Sequence, residues 1–146
     1  MARKILLTLM LVASIFMVAK AEDRPIQFEQ LPQPAKDFVR KHFNEADVVL
    51  VTMDKEVFST TYDVKLQNGI SIDFDKSGRW KEVDGNHLAL PAAIIPEKIA
   101  TFVSSKHTSA TIVKIARNKR FYEVELNNDL DLIFDLKTMA FKRYDK

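Results

Sequence analysis

The residues spaced most like a chemical site are Asp73, Asp75, Ser77 and Asp84, in the run Asp73-Phe74-Asp75-Lys76-Ser77-Gly78 with Asp84 eleven positions after Asp73. Oxygen-bearing side chains at positions 1, 3, 5 and 12, with glycine at 6, are the pattern of a calcium loop, because a hard cation takes six to eight oxygens. Three features oppose that reading, one being that the second copy of the run has lost Ser77 and Gly78. The flanks alternate like strands rather than helices, and position 12 is Asp where a longer, bidentate Glu is usual. The competing reading makes Asp73 a solvent-facing strand residue and Asp75 to Gly78 a plain turn.

Nucleophilic and metal-hydrolytic chemistry find less support. The chain has no cysteine, no G-x-S-x-G elbow and no H-E-x-x-H helix. His42, His87 and His107 stand without a carboxylate at motif spacing. The expectation is a protein that is not an enzyme and carries no cofactor.

These residues sit within alternating segments. Tyr62, Val64 and Leu66 alternate with polar residues, as do Ile70, Ile72 and Phe74, and Asn68-Gly69 between them suits a tight hairpin turn. The pattern recurs sixty positions later as Tyr122, Val124, Leu126, Leu130, Leu132 and Phe134. Upstream, Leu31-Pro32-Gln33-Pro34 opens a helix whose apolar face is Ala35, Phe38, Val39 and Phe43, and Ile95-Pro96-Glu97 opens its counterpart. Ile99, Phe102 and Val103 match the first helix at a shift of 64, and Phe141 matches Trp80 at 61. Asp47 to Asp54 reads as a strand, and the loop from Asp54 to Ser59 absorbs the four extra residues of the first copy.

The predicted organisation is an export segment at 1–21, an N-terminal arm at 22–30, a first repeat at 31–86, a connector at 87–94 and a second repeat at 95–146. Each repeat is one helix followed by four strands. The fold class is α+β, with both repeats joined in one extended antiparallel sheet and both helices on one face. Met1 to Ala21 has a basic start (Arg3, Lys4), an apolar run and an Ala19-Lys20-Ala21 cleavage site, so cleavage is expected after Ala21. The apolar run would make roughly 21 Å of helix, short of the ~30 Å needed to span a bilayer. Removing Arg3, Lys4 and Lys20 takes the 22 basic residues to 19 against 20 acidic ones. The formal charge of +2 thereby becomes −1. A near-neutral chain offers no electrostatic footprint for nucleic acid or anionic lipid.

If the apolar strand positions face the helices, the opposite face is open and needs explaining. Its outward set is Thr61, Asp63, Lys65 and Ser71, with Asp73, in the first repeat, and Phe121, Glu123, Glu125, Asp131 and Ile133 in the second. Phe121 and Ile133 are apolar where alternation predicts exposure, and Trp80 lies beside a turn where its side is open to either reading. Aromatic anchors among polar neighbours resemble interface hot spots. The alternative is that Trp80 and Phe141 close the core.

The helix opener Leu31 to Val39, the hairpin Tyr62 to Gly69 and the run Asp73 to Trp80 resemble the PepSY-like proteins with the fold of the β-lactamase inhibitory protein. These are small exported proteins common in Bacteroidetes. The motifs recur in weaker form as Ile95 to Val103, Tyr122 to Asp129 and Ile133 to Phe141. The resemblance implies tandem helix-plus-four-strand units, a periplasmic or secreted location, and a partner protein such as an envelope hydrolase or peptidase gripped by the sheet. It gives as the function a non-enzymatic inhibitor or modulator. The alternative is an envelope protein that binds calcium or a small ligand through Asp73 to Asp84. In the second copy Asp129 replaces the turn glycine and Thr138-Met139-Ala140 replaces Ser77-Gly78-Arg79, so the halves are not equivalent there.

Overall fold

The computed structural model describes residues 23–145. The expected export segment, 1–21, lies outside them. Among the described residues one antiparallel sheet runs in strict chain order. Its strands are β1 (Arg24–Pro25), β2 (Val48–Lys55), β3 (Thr60–Leu66), β4 (Ser71–Asp75), β5 (Trp80–Asp84), β6 (Ile112–Arg117), β7 (Phe121–Leu126), β8 (Asp131–Asp135) and β9 (Phe141–Asp145). Helices α1 (Gln33–His42) and α2 (Glu97–Lys106) precede β2 and β6. The fold is α+β, as the periodicity requires.

The alternation explains why the sheet closes on one side. Val64, Ile72, Val83, Ile115, Val124 and Leu132 pair in succession across six strands, and all are at 0 % exposure. This buried row crosses the seam between the repeats, where Val83 pairs with Ile115 and Asp84 with Lys114, so the sheet is continuous. Both helices pack on the face that carries the row. The Phe38 ring of α1 meets Phe74 edge-on at 5.8 Å, and Phe102 of α2 meets Phe134 edge-on at 5.4 Å. These are the same contact made twice. Ala35 and Val39 are the buried residues of α1, as Ile99 and Val103 are of α2.

Irregularities repeat as well. The β4–β5 register shifts between Asp73 and Phe74, and β8–β9 shifts between Ile133 and Phe134. Glu82 faces outward opposite Asp73, and plain alternation would turn Trp80 outward with it. The bulge at Lys81 instead sets Trp80 opposite Phe74, on the helix side. There Trp80 lies 6.2 Å from Phe38, and its counterpart Phe141 stacks on Phe102 at 4.6 Å.

The expected N-terminal arm is part of the sheet rather than a free lead-in. Arg24 and Pro25 pair with Met53 and Thr52, the Ile26 amide donates to the Val51 carbonyl at 2.9 Å, and Ile26 and Phe28 pack against the core. A strand of two residues has too little periodicity to be visible in sequence. The four extra residues of the first copy divide between a longer β2–β3 ladder and a longer tip, rather than all lying in the loop.

Gly69 takes φ +87° in the β3–β4 turn, and Asp129 takes φ +63° at the same place in the second repeat. A Cβ on Gly69 would meet only the flexible end of Asn86. Gly69→Ala is therefore expected to lose about 1 kcal/mol, the penalty of a left-handed L-residue, measured by urea denaturation. Gly78, at φ +84°, is held more tightly, since a Cβ there would come within 2.9 Å of the Ala35 nitrogen and of Pro32 Cβ. That close approach seats the β4–β5 turn on the start of α1.

Candidate functional site

The face opposite the helices carries the chain's strand carboxylates. Across its centre, Thr52, Asp63, Asp73, Glu82 and Ala116 pair in succession from β2 to β6, and Glu123, Ile133 and Arg143 continue the row to β9. Asp63 and Asp73 are thus direct cross-strand partners, an arrangement that disfavours two like charges. Burial pushes the Asp73 carboxyl up to about 6, and the neighbouring Asp63 carboxylate adds to the rise as an acceptor and as a like charge. Lys81 and Lys114 work in the opposite direction. Asp63 Oδ1 and Asp54 Oδ1 are buried atoms with no hydrogen-bond partner. A proton on Asp73 supplies a donor toward Asp63; above pH 6 that donor is lost. One strand further on, Lys114 Nζ pairs with Glu82 at 3.1 Å.

The sequence-derived positions distribute as follows. Asp63, Lys65 and Ser71, with Asp73, share the open face of the first repeat, and Glu123, Glu125 and Asp131 share that of the second. Lys65 and Glu123 are exposed, while the others are half-buried. Thr61 pairs with Asp75 at the start of β3, where it and Trp80 line a cleft. Trp80 is absent from the open face because of the bulge. Phe121 is half-buried beneath the guanidinium groups of Arg120 and Arg143, at 5.3 and 5.8 Å from its ring centre. Ile133 faces outward by register between Glu123 and Arg143, yet is only 4 % exposed. The expectation of an exposed apolar anchor at Ile133 is corrected: its neighbours cover it.

The Asp73–Asp84 set does not gather around one point. Asp75 Oδ1 accepts from the Ser77 amide at 2.9 Å, the Ser77 hydroxyl at 2.6 Å and the Arg79 amide at 3.0 Å. Partial burial pulls the other way, but these donors hold the Asp75 carboxyl below its ordinary value. Asp84 Oδ1 accepts from the Asn86 amide at 2.8 Å. Asp135 repeats the Asp75 arrangement with Lys137 and Thr138. The run is a turn-forming device used in both repeats. Among the described residues no three Asp, Glu or His side chains stand together as metal ligands. Of the histidines, His107 Nε2 lies 3.2 Å from the Tyr144 hydroxyl, and His42 packs at 4.7 Å from the Phe38 ring. Neither pairing forms a nucleophile–base set.

Sequence reasoning missed the buried oxygens of Asp54 and the pairing of Asp63 with Asp73. The hairpin register was the available signal: matching the apolar positions pairs Leu66 with Ile70 across the three-residue turn 67–69, and counting outward from that pair places 63 opposite 73.

The arrangement matches known proteins at the level of the whole fold. A crystal structure from Bacteroides thetaiotaomicron, described as a "putative calcium-regulated periplasmic protein", is 40% identical, covers 85% of this chain and 97% of its own, and superposes with a TM-score of 0.81. A "putative periplasmic protein" from Bacteroides vulgatus is 37% identical, with 86% and 98% covered and a TM-score of 0.80. A second Bacteroides vulgatus protein, described as periplasmic and of unknown function, is 31% identical over 86% of this chain and 100% of its own, with a TM-score of 0.79. No curated protein matches significantly. Among the described residues no helix is long and apolar enough to cross a membrane. The family described as "Putative beta-lactamase-inhibitor-like, PepSY-like" matches residues 15–61 and 60–142, and with these relatives it shows that the chain belongs to the PepSY-like family.

Proposed function

We propose that this is a non-enzymatic periplasmic or secreted protein that docks a partner protein, such as an envelope hydrolase or peptidase, on the open face of its sheet and modulates it. The observation that carries this reading is the continuous sheet surface left uncovered by both helices, with Asp54 and Asp63 oxygens buried in it without donors. Asp63, Asp73, Glu82 and Glu123 give that surface a row of carboxylates, which a partner presenting Lys or Arg complements. The inhibitor-like description of the family and the periplasmic descriptions of the relatives agree with it. The test is affinity capture from an envelope extract, with Glu123→Lys/Glu125→Lys as control. One hydrolase retained by the wild type and lost by the control supports the reading. Equal retention by both contradicts it.

A second reading, regulation by calcium, is favoured by the Asp63–Asp73 pair, because a divalent cation neutralises opposed carboxylates as a proton does. The calcium-regulated description of one relative points the same way. On this reading the ion is held by the Asp63–Asp73 pair rather than by the Asp73–Asp84 turn. Calcium should then raise the melting temperature of the wild type and leave Asp63→Asn unchanged. No rise at millimolar calcium contradicts it.

A further inference from the structure

The turns joining β2–β3, β4–β5 and β6–β7 meet at one end of the sheet around a cleft of about 610 Å³. The cleft straddles the seam between the repeats. Lys76, Arg79, Lys81, Arg117 and Lys119 line it, against a single carboxylate, Asp75, whose Oδ1 is engaged by its own turn. None of these five cations forms an ion pair among the described residues. The Arg117 guanidinium lies 3.9 Å from the centre of the Trp80 ring and donates through Nε to the Trp80 carbonyl at 2.8 Å, so it is fixed in place before any ligand arrives. Burial lowers its pKa, the mark of a cation partly stripped of water. The apolar surface beside it includes Tyr122, Leu136 and Phe58, the last 99 % exposed at the β2–β3 tip.

We propose that this cleft binds an acidic peptide segment of a partner protein, with carboxylates on the cations and an apolar side chain against Trp80 and Phe58. Charge complementarity selects the occupant, since five clustered cations without ion-pair partners, four of them exposed, make a positive potential that anions relieve. A peptide fits better than a single phosphate because the cations are spread over two turns and the ends of the strands beside them. The cleft lies on the turn end of the sheet, apart from the strand carboxylates of the open face, so this inference stands independently of the proposed function.

Trp80 is the only tryptophan of the chain, so its fluorescence reports on the cleft without a label. Titrating the purified protein with hexaglutamate in low salt should give a saturable change in that emission. Hexalysine should give none, and inorganic phosphate and polygalacturonate should bind at least about ten-fold more weakly. Raising salt from about 50 to about 500 mM should weaken hexaglutamate binding about ten-fold, as screening of exposed charge demands. Lys76→Gln/Lys119→Gln alters two exposed side chains and should weaken it about ten-fold with an unchanged melting temperature, whereas Lys98→Gln on α2 should bind as the wild type does. A flat hexaglutamate titration overturns the proposal. So does equal or tighter binding of phosphate or polygalacturonate, or Lys76→Gln/Lys119→Gln binding as tightly as wild type.

Discussion

Phe134→Ala is expected to destabilise the protein by about 3–5 kcal/mol, and Phe74→Ala by a similar amount, since each removes a fully buried ring and leaves a cavity. The two rings occupy equivalent places, each edge-on to a helix phenylalanine at 5.4 and 5.8 Å. The informative part is cooperativity. The buried row runs unbroken from Val64 to Leu132 through the Val83–Ile115 pair at the seam. A cavity in the second repeat must therefore weaken the first. Trp80 belongs to the first repeat, so its fluorescence should follow the same urea transition as far-UV circular dichroism in Phe134→Ala. Two separate midpoints would mean that the halves unfold independently.

Asp73→Asn is expected to do the opposite and stabilise the protein at pH 7.5 by about 1–2 kcal/mol. The folded protein holds the Asp73 proton up to about pH 6, above the ordinary carboxyl value of 3.8. Between those values the folded state binds more protons than the unfolded one, so stability falls as pH rises through the window. Below about pH 4 the penalty is absent, and above about pH 6 it is fully in place. The full shift would correspond to about 3 kcal/mol, and partial exposure of the pair reduces that by roughly half. Asparagine removes the charge and retains a donor toward Asp63. Urea denaturation at pH 4, 5, 6 and 7.5 should show the wild type declining and Asp73→Asn flatter over the same range. A less stable Asp73→Asn at pH 7.5 would mean that another group, rather than a like charge, faces Asp73.

Much of the fold is legible in the sequence because it rests on periodicity. The sixty-residue shift of Tyr62 to Phe74 onto Tyr122 to Phe134 gives both hairpins, and the proline-opened helices carry their apolar faces as the spacing requires. What escapes is whatever depends on local irregularity or on distance in space. Trp80 turns to the helix side through one extra residue, Lys81, and a bulge leaves no mark in a pattern of period two. Arg24–Pro25 pairs as a strand too short to alternate. Ile133 is outward by register yet covered by its neighbours, because outward on a strand is not the same as exposed. The candidate surfaces were least legible. A chain near neutrality conceals that Lys76, Arg79, Lys81, Arg117 and Lys119 collect at one end of the sheet while Asp63, Asp73, Glu82 and Glu123 collect on its open face. Charge segregates through strand register, and composition has no access to register.

The central claim is that the open sheet face is the docking surface. Photo-crosslinking in the living source cell tests it directly, with a benzophenone side chain placed singly at Lys65 and at Glu123 on that face, and at Lys98 on α2 as reference. Lys65 and Glu123 should yield the same discrete adduct and Lys98 none. An adduct from Lys98 with none from Lys65 or Glu123 would contradict the claim and assign docking to the helix side.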